Sequence, residues 1–283
     1  MMDKNIVWYP GHMARAKRKI QEALPLVDMV IELLDARAPV SSRNPSFAEL
    51  FSRKPCLTLL TKCSLSDPKA VNLFVNLLRR DMDLLVPIDC KTGSGMKNVA
   101  PAIRTLMADK LERDAAKGIN KPIRAMIVGI TNVGKSTFIN TFAKNRKAKA
   151  EDRPGVTRQN QWVAVPSMGV ELLDTPGLLW HKFDDQAVAR KLAMLGSIND
   201  EILDQIELTC ALLSILREKY PELLKARYKA EWTEEDTDYD LFEIIARKRG
   251  FLRSGGEIDE DRTAAVVLDE FRAGKIGQIC LDE

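Results

Sequence analysis

Short apolar runs punctuate the first two-thirds of the chain, at 29–34, 56–60, 84–88, 123–128, 162–165 and 170–173. Each is too short for a buried helix and has the length of a strand. Between them the apolar period lengthens. Val71, Phe74, Val75 and Leu78 recur at i, i+3, i+4 and i+7, which predicts one helix face, with Pro68 suited to its first turn. Strands alternating with helices predict an α/β architecture with a largely parallel sheet. Beyond residue 197 the strand-like runs stop. Ile202, Ile206, Cys210 and Leu213 suit a helix face, as do Ala264, Val267, Leu268 and Phe271. The acidic stretch 231–240 reads as a loop between them, and 109–122 as a charged helix end and connector. The expected division is 1–197 for the α/β part and 198–283 for a small all-α domain.

Composition sharpens this picture only in places. A length of 283 residues suits about two domains, and 45% apolar with 29% charged residues excludes a mostly disordered chain, a collagen-like repeat and a disulfide scaffold. The net charge of +3 conceals an asymmetry: residues 1–199 carry 31 Lys and Arg against 19 Asp and Glu, whereas 200–283 carry 12 against 21. Such a split hints at a part that faces a polyanion. The cysteines number five, widely spaced and without a Cys-x-x-Cys pair, which fits a reducing compartment better than a zinc site or a disulfide framework. No signal-like stretch or membrane-length apolar run stands out, so a cytoplasmic protein without a membrane partner is expected.

Gly129-Ile130-Thr131-Asn132-Val133-Gly134-Lys135-Ser136 fits G-x-x-x-x-G-K-[ST] and lies between a predicted strand and a segment able to open a helix. In that context the loop N–H groups, including those of Asn132, Val133 and Gly134, cradle phosphate oxygens. Lys135 reaches the outer phosphates, Ser136 ligates Mg²⁺, and Thr137 follows in the first turn. Asp174-Thr175-Pro176-Gly177 closes the run 170–173, with Asp174 placed for Mg²⁺ and the Gly177 N–H for a γ-phosphate. Thr157, in Pro154-Gly155-Val156-Thr157-Arg158, is a candidate further hydroxyl for Mg²⁺ and the γ-phosphate; a plain Pro-Gly turn is the alternative.

The segments that read guanine in ordinary GTPases, Asn-Lys-x-Asp and Ser-Ala-Lys, follow the phosphate loop. Here their nearest counterparts precede it: Thr61-Lys62-Cys63-Ser64 and Asp89-Cys90-Lys91. The order resembles a circularly permuted GTPase. Trp8-Tyr9-Pro10-Gly11-His12-Met13, Asp35-Ala36-Arg37, Ser41-Ser42-Arg43-Asn44-Pro45 and the tail from Phe271-Arg272-Ala273-Gly274 resemble the bacterial ribosome biogenesis GTPase A family over nearly the whole chain. That resemblance implies a P-loop GTPase with a Rossmann-like, circularly permuted sheet and a C-terminal all-α domain that contacts ribosomal RNA. It implies a factor that binds GTP and GDP, joins the large ribosomal subunit late in its assembly, and hydrolyses GTP as a checkpoint or release step; a monomer is expected.

Two features depart from the usual pattern. The Asp of Asn-Lys-x-Asp accepts from guanine N1–H and N2–H₂, whereas Ser64 offers only a neutral hydroxyl and Thr61 replaces the Asn. Losing such a charge-assisted bond costs about 1.5–3 kcal/mol, so weakened guanine selectivity is expected. Lys62 remains to pack along the base, and the Cys90 N–H to meet guanine O6, with Lys91 beside it. Leu178 occupies the place where related enzymes carry a water-orienting glutamine, and an apolar residue cannot orient water. On the residues alone His12 is either catalytic or a turn histidine; the resemblance points to catalysis, with His181 a surface or switch residue. Asn132 resembles the asparagine that supplies a K⁺ ligand in potassium-activated GTPases, against the alternative of a solvated loop residue. Basic clusters at 15–19, 144–153 and 247–253 are candidate RNA contacts or solvated faces. The competing reading of the whole is a nucleotide-gated RNA-binding scaffold with weak hydrolysis and relaxed guanine selectivity.

Overall fold

The apolar runs line up as one six-stranded sheet in a computed structural model that describes residues 10–143, 161–179 and 185–283, the side chains of 10–13 excepted. Helix α1 (Pro10–Ala23) precedes β1 (Met29–Asp35), α2 (Pro45–Leu50), β2 (Cys56–Thr61), α3 (Pro68–Leu78) and β3 (Leu84–Pro87). Then come α4 (Val99–Leu106), α5 (Ala108–Ala116), β4 (Ile123–Gly129), α6 (Lys135–Phe142), β5 (Gln161–Val165) and β6 (Val170–Asp174). The remaining elements are helical: α7 (Gln186–Met194), α8 (Gln205–Lys219), α9 (Pro221–Tyr228), α10 (Asp238–Arg249) and α11 (Glu260–Arg272). None of the described helices is long and apolar enough to cross a membrane.

Strand order is β3-β2-β1-β4-β6-β5, parallel throughout except for β5, which runs antiparallel to β6 at one edge. All seven residues of β1 are buried, as are all of β4 except Arg124, because helices cover both faces. The edge strand β5 instead buries only Val163 and Val165. At the sheet centre Ile31 lies in register with Leu57 on one side and Ile127 on the other. The strands that precede β4 in the chain thus lie on one side of it, and those that follow lie on the other.

Local signals set the helix starts. Pro68 opens α3 behind Asp67, whose carboxylate accepts from the Lys69 N–H at 2.8 Å. The expected loop 231–240 is shorter than its composition suggested. Thr237 and Asp240 form a reciprocal capping box, so α10 begins at Asp238 and the acidic residues there belong to a helix N-terminus. The face proposed for 202–213 is also corrected. Ile202 sits in a short 3-10 turn and is 56% exposed, while α8 buries Leu208, Thr209, Leu212, Leu213 and Leu216. Ile206 and Cys210 flank that face, because the helix starts only at the Asp204 cap and is rotated accordingly. The face Ala264, Val267, Leu268 and Phe271 is buried as expected.

One apolar core runs from the sheet into the C-terminal helices, joining Ile31 and Ile127 to Leu212, Phe242 and Phe271. The last residues then return to the sheet. Cys280 packs with Leu34, Leu60 and Phe74, and the Leu281 N–H donates to the Arg37 carbonyl at 2.6 Å. The Asp282 carboxylate accepts from the N–H groups of Val40 and Ser41 at 2.7 and 2.9 Å, from the Ser41 hydroxyl at 2.5 Å and from Lys191 Nζ at 3.1 Å. Asp282→Ala strips four donors of a charged acceptor. It is expected to lower unfolding free energy by about 2–4 kcal/mol, read as a lower denaturant midpoint at unchanged slope. An unshifted midpoint would mean that the docked tail carries no stability.

Candidate functional site: a phosphate loop and two base loops

The carboxyl ends of β1, β2, β3, β4 and β6 meet at one edge of the sheet, the usual ligand edge of open α/β folds. There the chain leaves β4 at Gly129 and enters α6 at Lys135. Gly134 has φ 104°, a left-handed geometry that exposes the first N–H groups of α6 and that an L side chain rarely adopts. Val133 buries its side chain in the core, so only its backbone is left for the loop. Ser136 is half-buried in the first helical turn and Thr137 is exposed.

Lys135 is buried, and its Nζ donates to the carbonyls of Gly129 at 3.2 Å and Ile130 at 2.7 Å. Burial pushes its pKa down to about 8, with Asp174 opposing and Lys62 adding to the shift. Asp174 ends β6 and is buried, and Thr175 Oγ1 anchors the following turn on the Ile127 carbonyl at 2.5 Å. Gly177 touches the phosphate loop so closely that a Cβ there would stand 2.8 Å from Thr131 Cα. Leu178 donates its N–H to the Gly129 carbonyl at 3.2 Å and is buried, as is Leu179. The residue in the glutamine's place therefore belongs to the core.

The two base loops close the other side. Thr61 Oγ1 lies 2.8 Å from the Val133 carbonyl and 2.9 Å from that of Leu34, so this hydroxyl ties β2 to the phosphate loop. Lys62, at φ 58°, runs along that loop and donates to the Asn132 carbonyl at 2.6 Å and to Asp35 Oδ2 at 2.9 Å. Asp35 also takes Nε and Nη2 of Arg37 at 3.0 and 2.9 Å. Burial alone would raise the Asp35 carboxyl, but the Arg37 and Lys62 cations hold it well below the usual carboxylate range. Ser64 donates its N–H and hydroxyl to Asp89 Oδ2, and Asp89 Oδ1 takes the N–H groups of Lys91 and Thr92, not that of Cys90. Cys90 is half-buried and Lys91 is exposed.

Sequence reading missed the partners of the phosphate loop on the far side. The Asn132 amide donates to the Gly196 carbonyl at 2.6 Å, the Thr131 hydroxyl to the Ser197 carbonyl, and the Ser197 hydroxyl back to the Thr131 carbonyl at 3.0 Å. Arg37 likewise reaches the Arg272 carbonyl at 3.2 Å, and Arg272 binds the carbonyls of Ala193 and Met194 and the Asp200 carboxylate. For Arg37 and Arg272 the segments Asp35-Ala36-Arg37 and Phe271-Arg272-Ala273-Gly274 carry a family signal that assigns neither residue a role. His12 lies in the first turn of α1 with its side chain outside the described residues. Thr157, His181 and the basic cluster 144–153 also fall outside them.

A strand–loop–helix phosphate cradle, an Asp ending the neighbouring strand, and lysine-bearing base loops from strands earlier in the chain together define a circularly permuted P-loop GTPase. Residues 124–242 match the family described as 50S ribosome-binding GTPase. Ribosome biogenesis GTPase A of Bacillus cereus is 45% identical over 98% of this chain and 93% of its own length. That of Priestia megaterium is 45% identical over 98% and 96%. The crystal structure of GNP-bound YlqF from T. maritima superposes with a TM-score of 0.65 at 27% identity, covering 94% of this chain and 97% of that one. A GDP-bound YlqF structure matches with the same TM-score and identity. The chain belongs to the ribosome biogenesis GTPase A family. It is a GTP hydrolase that binds GTP and GDP.

Above pH 8 the buried Lys135 is largely neutral, and an incoming diphosphate raises its pKa again. GDP binding at pH 9 is therefore expected to take up close to about one proton, an uptake that fades as the pH falls to about 7, where Lys135 is already charged. Calorimetry in buffers of different ionisation enthalpy measures this, and Lys135→Met should abolish it. Gly177→Ala forces its methyl against the Thr131 backbone and should cost about 1–3 kcal/mol of stability in a melt of the nucleotide-free protein.

Proposed function

We propose that this GTPase binds the large ribosomal subunit late in its assembly, in the cytoplasm and as a monomer, and spends GTP hydrolysis on a checkpoint or release step. The observation that carries the reading is the direct bonding of Thr131 and Asn132 to Gly196 and Ser197, which lead into the C-terminal helices. A phosphate loop fastened in this way transmits nucleotide state to a helical unit. The relatives' name as ribosome biogenesis GTPases supplies the cargo. Exposed Arg15, Lys17 and Arg18 on α1, with Arg247 and Lys248 ending α10, are the surfaces offered to ribosomal RNA. Arg249 and Arg253 are already paired, with Glu270 and with Asp259 and Asp261, so they contribute less.

In this reading the loop N–H groups from Asn132 to Thr137 and the Lys135 ammonium hold the phosphates, and Gly177 meets the γ-phosphate. Thr61, Lys62, Ser64, Cys90 and Lys91 surround the purine. The hydroxyl and carboxylate oxygens of Ser136 and Asp174 are hard donors that suit Mg²⁺, with Thr157 completing the set. That ion supplies charge neutralisation at the phosphates. His12 orients the attacking water, since Leu178 is turned into the core. K⁺ is the activating cation and Asn132 its protein ligand, which requires the amide oxygen to face the phosphates while its nitrogen holds Gly196. The second reading, a nucleotide-gated RNA-binding scaffold with weak hydrolysis, draws on Thr61, Ser64 and the buried Leu178.

Turnover of GTP by the full chain, with and without purified large ribosomal subunits in K⁺ or Na⁺, separates the two. The enzyme reading expects stimulation by subunits and at least about tenfold faster turnover in K⁺ than in Na⁺. It also expects subunit binding that weakens steeply with salt. His12→Ala should lower stimulated turnover by about a hundredfold or more while GDP affinity holds. Turnover indifferent to subunits, with binding still nucleotide-dependent, would favour the scaffold.

A further inference from the structure

In the usual arrangement the loop after the second strand of this site carries an Asp and the next base loop a Ser. Here the two residue types are exchanged, Ser64 standing in the first loop and Asp89 in the second. The structure brings them together from 25 residues apart, with the Ser64 hydroxyl donating to Asp89 Oδ2 at 2.6 Å and the Ser64 N–H at 3.0 Å. We infer that Ser64 and Asp89 read the purine as one unit, in which Asp89 fixes the Ser64 oxygen as a pure acceptor for a single base N–H. This rests on the purine lying between these two loops.

The geometry leaves Asp89 no direct part. It is 2% exposed, and its other oxygen is taken by the N–H groups of Lys91 and Thr92 at 2.8 and 2.9 Å. Those four bonds fill the capacity of a carboxylate. The Ser64 hydroxyl has one proton, and a charged acceptor holds it. What it presents elsewhere is lone-pair density, strengthened because its proton leans on a carboxylate. The loop is also pinned from behind: Gln278 Nε2 donates to the Ser64 carbonyl at 3.1 Å, and the Ile279 N–H to that of Leu65 at 3.1 Å. Ser64 therefore meets a base in one orientation.

A single neutral acceptor pairs with the N1–H that guanine and hypoxanthine share. It cannot also take the guanine 2-amino group as a bidentate carboxylate does. Adenine presents a lone pair at N1, which an acceptor repels. The ligand class is thus 6-oxopurine nucleotides, with the 2-amino group nearly unread.

The test is calorimetric titration of the full chain with GDP, IDP and ADP. Native protein should bind GDP and IDP within about threefold of one another and ADP about tenfold more weakly. Ser64→Ala should shrink the GDP-to-ADP ratio by about three- to tenfold. Exchanging the pair, Ser64→Asp with Asp89→Ser, should raise the GDP-to-IDP ratio above about tenfold. A native preference for GDP over IDP beyond about thirtyfold, or an unchanged ratio in Ser64→Ala, overturns the assignment. Should the exchanged protein fail to fold, the native series and Ser64→Ala still decide. Ser64→Phe tests the placement separately, since it must weaken all three nucleotides and spare pyrophosphate. If it spares the nucleotides too, the purine lies elsewhere.

Discussion

A buried carboxylate at the end of the central strand holds this molecule together. Asp35 is 1% exposed, and alone it would be among the least tolerable groups in the core. Arg37 and Lys62 make it tolerable, and each cation is then steered to a further partner. Lys62 passes along the phosphate loop to the Asn132 carbonyl. Arg37 turns the other way, to the Arg272 carbonyl, with its guanidinium 5.6 Å from the Phe271 ring centroid. One ion cluster thereby sets the spacing between sheet, phosphate loop and last helix.

Permutation becomes intelligible on the same physical terms. A parallel sheet stores its geometry in strand order and register, and neither depends on which strand the chain visits first. β2 and β3 lie beyond β1, β6 beyond β4, and their carboxyl ends converge on one edge whatever the connectivity. Moving the base loops upstream leaves that edge intact. What changes is the material that follows Asp174: the chain runs through α7 directly into the helical bundle.

The sheet was legible because strands buried on both faces must be apolar without alternation, so β1, β2 and β4 stand out as continuous runs. The phosphate loop was legible because its chemistry demands glycines and a lysine at fixed spacing. Periodicity does not reveal where a cap resets the helical phase, which leaves Ile202 off the buried face, and acidity suits loops and helix starts alike, as at 238–240. The contacts of Asp35 with Lys62, of Ser64 with Asp89 and of Asn132 with Gly196 join distant segments. No local pattern encodes such pairs; they exist only once the strands have been stacked.

The hydrogen bonds from Thr131 and Asn132 to Ser197 and Gly196 carry a thermodynamic obligation. If occupancy of the phosphate loop alters how these bonds are made, nucleotide and helical-unit ligand share a coupling free energy, and that energy is reciprocal. Any surface that grips the C-terminal helices must then change nucleotide affinity by the same factor by which nucleotide changes the grip. A partner that prefers one nucleotide state thus tightens that nucleotide in return, and one that grips both states alike leaves nucleotide affinity as it was.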